Sequence, residues 1–326
     1  MNKKMLLAAL FTIISVFPNF ADSLDSGLES TISFYESFVS DGSGIGIGTL
    51  VFEDKNISSS LSGYLAEKLA GIITHSGKMT LVNREQLDTI LEEIKLGLTG
   101  IIEESSSLDP GALKGLEYLI TGRFYDQGRD VRLYTQLTDM KSSTVIADRE
   151  ILFGKDQVPR GILIRPSNYE DALYVLQELA EVSNASNSDF IIKGWTIRGD
   201  GGIYRDGERM VVNFYSSRDC YIKVYHIDVA GNMQLIFPND FYSDNFILNK
   251  KLYRIPDNRY PFTFDLGAPY GTEFIKIVAS TVQFKDIESA FEAVGHASGE
   301  LVSRGLAVNL KKEQVSETLF SYTIIE

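Results

Sequence analysis

Gly42, Gly44, Gly46 and Gly48 alternate ahead of an apolar run, a spacing that invites comparison with loops that cradle phosphate. A dinucleotide-binding turn needs its glycines after a strand and before a helix, and a P-loop also needs Gly-Lys-Ser/Thr. Here the glycines precede and enter the strand, so the expected arrangement is a small-residue strand packed under a helix. The three histidines, His75, His226 and His296, are scattered and form no His-x-x-x-His pair. With one cysteine they do not reach the ligand spacing of a zinc site. Asp200-Gly-Gly202 and Asp206-Gly207 are turn-rich, but a calcium loop spaces several oxygen ligands within one loop. They read as solvated hairpins. There is no Gly-x-Ser-x-Gly elbow, and Asp41-Gly-Ser43-Gly44 lacks the strand that would strain the serine into place. No catalytic, cofactor-binding or metal-binding residue is therefore assigned, and the chain is not read as an enzyme. A hydrolase with an unrecognised site stays as a minor alternative, because triads are recognised by geometry.

The remaining chemistry is that of location and surface. Residues 1–23 place Lys3 and Lys4 before the uncharged run from Met5 to Phe17, and Ala21 and Ser23 supply small residues for cleavage. That is the layout of a secretory signal peptide, too short to span a bilayer comfortably. The mature protein is expected to begin near Asp22 or Leu24 and to be exported. The lone Cys220 excludes an intrachain disulfide and reads as a buried small residue. The net charge of −13 disfavours nucleic acid, which needs clustered Lys and Arg.

Hydrophobic periodicity supplies the elements. Ile45 to Phe52 reads as a buried strand, and Ser58 to Ser60 can cap a helix with the stripe Leu61, Leu65, Leu69 and Ile72. Met79 to Val82 is a short strand. Asn83 can cap the next helix, in which Leu87, Ile90, Leu91 and Ile94 fall on one face. An apolar, glycine-containing loop, Leu96 to Ile102, follows, and Asp109-Pro110 reads as another helix start. Tyr118 to Tyr125, Val131 to Asp139 and Thr144 to Phe153 then make successive strands. The expected fold is α+β, with helices on one face of a mixed N-terminal sheet. An amphipathic helix from Asn168 to Val182 is expected to close this unit, spanning 44–183.

Val82-Asn-Arg84-Glu-Gln-Leu87, Ile90-Leu91-Glu92-Glu93, Leu96-Gly-Leu-Thr-Gly100 and Gly115-Leu-Glu-Tyr-Leu-Ile-Thr-Gly122 resemble, in order and spacing, the curli assembly (CsgG-like) envelope family. The resemblance runs from near Gly44 to Phe153 and implies this α+β fold and an envelope address. No cysteine lies near the expected cleavage site, so the lipid attachment that anchors the curli secretion channel has no acceptor there, and no lipid anchor is expected.

The polar run Ser183 to Ser188 is the expected boundary with a second unit, 189–326, and each half is expected to fold alone. Phe190 to Arg198, Met210 to Tyr215, Tyr221 to Asp228, Met233 to Phe237, Phe262 to Leu266, Glu273 to Ser280 and Glu317 to Ile325 are short strand-like runs separated by Gly and Asp turns. They point to a β-sandwich, with two short helical patterns, Ile287 to Val294 and His296 to Arg304. Arg218-Asp-Cys-Tyr221, Asp228-Val-Ala-Gly-Asn232, Gln234-Leu-Ile-Phe-Pro-Asn239 and Pro269-Tyr-Gly-Thr-Glu-Phe-Ile275 resemble the bacterial family called domain of unknown function 4384. That family transfers little function.

What is left is binding surface. Leu96, Leu98, Ile101 and Ile102 form an apolar patch that is either core or covered by a partner, with Ile102 expected as core and Leu98 as interface. Phe237, Pro238, Phe241, Tyr242 and Phe246 cluster around a Pro-Asn turn; core packing accounts for most, leaving one or two, with Phe241 and Tyr242 as candidates, for peptide or glycan. The leading expectation is a non-enzymatic envelope adaptor: the first unit docks or self-associates, and the second binds another envelope protein. The alternative is a subunit of a curli-type outer-membrane secretion channel. Val131 to Asp139 and Thr144 to Phe153 are long enough for membrane hairpins, but their Arg, Gln and Glu residues make lipid contact costly, so membrane insertion is not expected.

Overall fold

The computed structural model describes residues 23–53, 55–98, 115–183, 190–284 and 315–326, with backbone alone described over 92–98 and 178–183. The expected signal segment before Ser23, the 184–189 run and the helical patterns within 287–304 lie outside the described residues.

The first element is one that sequence patterning alone passed over. Helix α1, Leu24–Glu36, starts at Ser23, whose Oγ accepts from the Ser26 N–H at 3.2 Å. Leu24, Leu28, Ile32 and Tyr35 make its buried stripe.

Strand β1 (Gly44–Phe52), helix α2 (Ser60–Ser76), strand β2 (Thr80–Leu81), helix α3 (Arg84–Leu98) and strands β3 (Tyr118–Gln127), β4 (Asp130–Asp139) and β5 (Thr144–Gly154) follow. The sheet order is β2-β1-β3-β4-β5; β1 runs parallel to β2 and β3, and β3, β4 and β5 are antiparallel. This is the α+β mixed sheet expected from the pattern. Helix α2 starts where Ser62 Oγ accepts from the Ser59 N–H at 3.0 Å, and α3 where Asn83 Oδ1 accepts from the Gln86 N–H at 2.9 Å. Leu61, Leu65, Leu69 and Ile73 of α2 join the buried face of α1 and residues such as Ile45, Ile120, Leu133 and Ile151 in one core. Ile73 takes the buried place expected of Ile72, because four-residue steps keep it in line with Leu69.

Helix α3 presses on the sheet from the side of Gly46 and Leu119, opposite to Ile45 and Ile120, so the helices lie on both faces of the sheet and not on the one face expected. Leu87 and Ile90 cluster with Leu116 and Leu119, and a Cβ on Gly46 would sit 2.7 Å from a Leu87 methyl. At Gly44 a Cβ would fall almost onto the Gly115 carbonyl oxygen. Gly44 and Gly46 are therefore where chain and helix approach the strand most closely, while Gly42 faces open space. Helix α3 also continues through Leu96, Gly97 and Leu98, so these residues are helical where a loop was expected. A helical Gly costs about 1 kcal/mol relative to Ala, which neighbouring turns can absorb.

Helix α4 (Tyr169–Ser183) buries Tyr169 and Ala172 in the same core. The second half holds β6 (Ile192–Thr196), β7 (Gly202–Arg205), β8 (Arg209–Met210), β9 (Val212–Ser216), β10 (Cys220–Ile227), β11 (Met233–Phe237), β12 (Phe246–Ile247), β13 (Tyr253–Ile255), β14 (Phe264–Asp265), β15 (Gly271–Ser280) and β16 (Val315–Ile325). A sheet ordered β11-β10-β15-β16-β7 faces a smaller one ordered β13-β9-β6. Val212 and Phe214 of the small sheet share a core with Ile222, Val224, Ile275, Ile277 and Phe320 of the large one, in a sandwich-like packing.

The two halves, expected as separate units, share part of their packing. Ile227 and Phe274 belong to the core of the first half. Beside them runs a polar seam: Ser58 Oγ donates to Gly201 O at 2.6 Å, Thr323 Oγ1 to Ser58 O at 3.2 Å and Asn56 Nδ2 to Asp200 Oδ2 at 2.9 Å. Asn168 donates to Val229 O and Thr272 O and accepts from the Thr272 N–H. A period-based reading sees one face per strand; it does not see that the outer face of the large sheet is covered by the other half.

Candidate functional site

The site grows from two turns of the second half. After β11, the Asn239 Oδ1 accepts from the N–H groups of Phe241 and Tyr242 at 3.0 and 3.1 Å, and the Asn239 N–H donates to Tyr242 O at 3.0 Å. This closed turn holds Tyr242 over Phe237, with ring centroids 6.0 Å apart, and turns Phe241 outward, 68% exposed. The second turn is organised by Asp257, whose carboxylate accepts from the Arg259 N–H at 2.9 Å and from the guanidinium, and whose carbonyl accepts from the Tyr260 N–H at 3.0 Å. Beyond it the chain bends at Tyr260 and Pro261 and enters β14 at Phe264, so that the rings of Tyr260, Phe262 and Phe264 follow one another.

These turns bring the rings together. Tyr242 lies 4.8 Å from Tyr260, Tyr260 5.4 Å from Phe262, Phe262 5.5 Å from Phe264 and 6.1 Å from Phe241. The tilted geometries are those favoured by ring quadrupoles. Tyr242, Tyr260, Phe262 and Phe264 are half-buried against the sandwich core, and Phe237 is buried, so the ladder is rooted at one end and open at Phe241. Burial pushes the Tyr260 phenol up to about 12, with the nearby Tyr242, Asp257 and Asp244 adding to it and Arg259 opposing. The hydrogen bond from Arg259 holds the Asp257 carboxyl below the usual carboxylate range.

Of the residues singled out from sequence, Phe237, Phe241 and Tyr242 come together here, while Phe246 pairs instead with Tyr221 at 5.0 Å. Tyr260, Phe262 and Phe264 were missed as site residues, although their spacing of two is a strand-face signal. The side chains of Leu96 and Leu98 are not among the described positions, and Ile101 and Ile102 lie outside the described residues.

Other groups with chemistry are tied up. Burial pushes the Cys220 thiol up to about 11, the environment of an inert structural cysteine. His226 Nε2 and the Tyr322 hydroxyl share Glu273 Oε2 at 2.8 and 2.6 Å, and burial, reinforced by Glu273, raises the Tyr322 phenol far above its ordinary range. A cleft between the halves, about 790 Å³, is lined by Arg84, Asp88, Arg198, Arg205 and Glu208. Its charges pair: Arg198 with Asp88 and Glu208, Arg84 with Asp88, and Arg205 with Glu67. Among the described residues no helix is long and apolar enough to cross a membrane.

Comparison with known families finds two separate matches along the chain. Residues 31–132 match the curli production assembly/transport component CsgG family. Residues 203–283 match a domain of unknown function, DUF4384. The CsgG-like match runs from α1 into β4, and the DUF4384 match contains the whole aromatic ladder. No curated protein matches the chain. Among solved structures, the C-terminal domain of LpoB from Salmonella enterica is similar at 15% identity and a TM-score of 0.31, covering 40% of this chain and 98% of that one. The lipoprotein GNA1162 from Neisseria meningitidis is similar at 13% identity and a TM-score of 0.23, covering 43% and 96%.

Proposed function

We propose that the chain is an exported, non-enzymatic adaptor of the bacterial cell envelope, whose CsgG-like half docks or self-associates and whose DUF4384-like half binds an envelope protein through the aromatic ladder. The observation that carries this reading is the ladder itself: rings rooted in a sandwich core and open at Phe241, in the pattern of the aromatic anchors that dominate protein interfaces. The family match of the first half supports the envelope address. The signal-like segment at residues 1–23 supports export. Docking by the first half is assigned to the apolar run that includes Leu96, Leu98 and Ile101, with Leu98 at the interface and Ile102 as core.

The adaptor reading is favoured over a channel subunit by the use of β4 and β5. Val131, Leu133, Leu137, Ile151 and Phe153 are all buried in the first core, so that hairpin's apolar face is already occupied. The test is a photo-crosslinking amino acid at Phe241 in intact cells, with mass spectrometry of the captured species. An exported envelope protein captured at Phe241, and not from a control site at Asp148, supports the proposal. Identical capture from both sites, or capture of this chain's copies alone, removes the role of the ladder. Leu98→Asp is expected to change sedimentation or remove a cross-linked species, and the docking assignment fails if it does neither.

A further inference from the structure

We infer that the aromatic ladder takes an extended, cationic peptide segment, one with lysine or arginine side chains spaced along it; this deepens the adaptor reading and rests on it. The argument is one of charge as well as ring surface. Asp240 and Asp244 are exposed at the turn that presents Phe241, and neither is ion-paired among the described residues. Two of the cations around the ladder are used internally: Arg259 is held by Asp257 at 2.8 Å and Arg209 by Asp265 at 3.1 Å. The open end of the ladder thus carries two exposed carboxylates, without an ion pair among the described residues, beside an exposed ring.

The ring faces carry negative potential and attract ammonium or guanidinium groups, the more so where neighbouring rings exclude water. The ladder shows this preference within the chain, since the Arg259 guanidinium sits 5.7 Å from the Tyr260 ring centre. A chain with net charge −13 draws in a basic partner and repels anionic surfaces, which disfavours an anionic lipid headgroup layer as occupant. The line of rings from Phe241 through Phe262 to Tyr260 and Tyr242 suits an extended backbone, which lays successive side chains along such a platform.

The test uses the full exported chain and fluorescein-labelled peptides of alternating Lys and Pro, Ser and Pro, or Glu and Pro, read by fluorescence anisotropy. The Lys-Pro peptide is expected to bind best, the Ser-Pro peptide about tenfold more weakly and the Glu-Pro peptide not at all. Phe241→Ala is expected to weaken Lys-Pro binding about tenfold, and Phe241→Trp to restore it. Asp240→Asn with Asp244→Asn is expected to weaken it several-fold at low salt and to make no difference at about 0.5 M salt, where exposed charges are screened. Phe241 is exposed, so far-UV circular dichroism and the melting temperature should be unchanged in its variants. Equal binding of Lys-Pro and Ser-Pro peptides overturns the inference. So does Phe241-dependent binding of a soluble peptidoglycan fragment or of phosphatidylglycerol vesicles in preference to the Lys-Pro peptide. Capture of an envelope protein at Phe241 in cells without Lys-Pro binding overturns this inference and leaves the adaptor reading standing; loss of both removes both.

Discussion

Arg198 Nε lies 3.2 Å from Asp88 Oδ2, and through that contact the turn between β6 and β7 grips helix α3 of the other half. The same guanidinium donates to both oxygens of Glu208, at 2.5 and 2.8 Å, and to Ile203 O at 2.6 Å. Its plane also lies 4.4 Å from the Tyr204 ring centre. Asp88 is only 7% exposed, so loss of Arg198 leaves a nearly buried carboxylate with Arg84 alone. Arg198→Ala should destabilise the protein by about 2 kcal/mol, less than the ~3–5 kcal/mol of a fully buried pair because Glu208 stays partly solvated. Urea unfolding measures this, and Arg198→Lys should recover only part, since a point charge cannot span both carboxylates. An unchanged midpoint for Arg198→Ala would remove the clasp.

The same cluster sets a response to acid. Burial works to raise the Glu208 pKa, but hydrogen bonds from Arg198 and from the Arg205 N–H outweigh it and hold the carboxyl below its ordinary value. A depressed folded-state pKa gives stability that is fully present above the unfolded value and lost as pH falls through the folded one. Wild-type stability should therefore decline from about pH 4.3 downward. Glu208→Gln should start lower at neutral pH and decline less steeply over that window. Chemical denaturation across the window checks it, and parallel curves would contradict it.

Gly44 and Gly115 form a backbone contact that tolerates no side chain at Gly44. The Glu117 N–H donates to Gly44 O at 2.8 Å, and a Cβ at Gly44 would collide with the Gly115 carbonyl. Gly115 itself has φ 104°, in the region favouring glycine, with open space where its Cβ would be. Gly44→Ala should therefore cost more than Gly115→Ala, several kcal/mol against about 1. Thermal melting of both variants decides the order; equal melting temperatures would show that the strand can shift away.

Lys276 and Glu317 sit on adjacent strands β15 and β16 with Nζ and Oε2 2.9 Å apart and side chains only 2% and 4% exposed. Lys276→Met alone should destabilise by about 3–5 kcal/mol, because Glu317 is left charged and buried. The double change Lys276→Met with Glu317→Leu should recover most of that loss, since it removes both desolvation costs. A double mutant no more stable than the single one would mean that Glu317 has other buried partners.

Proteolytic cleavage within 184–189 should leave the halves bound to one another. Ser58, Thr272 and Thr323 are almost completely buried at the seam, and separation would expose Ile227 and Phe274, worth about 1.5–3 kcal/mol each, together with unsatisfied polar groups. The nicked protein should elute as one species and unfold in one calorimetric transition. Fragments that part in native buffer and each melt cooperatively would show the seam to be weak.

Much of the fold was legible because it is written in local pattern. Asn83 at the start of α3, the four-residue steps of Leu61, Leu65 and Leu69, and the alternation of Val131, Leu133 and Leu137 each fix an element from neighbours along the chain. A signal-like segment, two family-like units and the absence of common catalytic spacings were likewise sequence properties. Helix α1 was also written there, in Ser23 and the stripe Leu24, Leu28 and Ile32, but it adjoins the signal-like segment and was passed over. The tertiary structure alone decided which faces meet. Ile227 and Phe274 alternate like any sheet residues, and only the packing of the halves commits them to the first core. Phe241 and Phe262 are likewise far apart in sequence, and their 6.1 Å approach exists because two turns, one closed by Asn239 and the other by Asp257, meet at one end of the sandwich. Periodicity reports the direction of a side chain relative to its own element, whereas a binding surface depends on the relative placement of elements, which long-range packing sets.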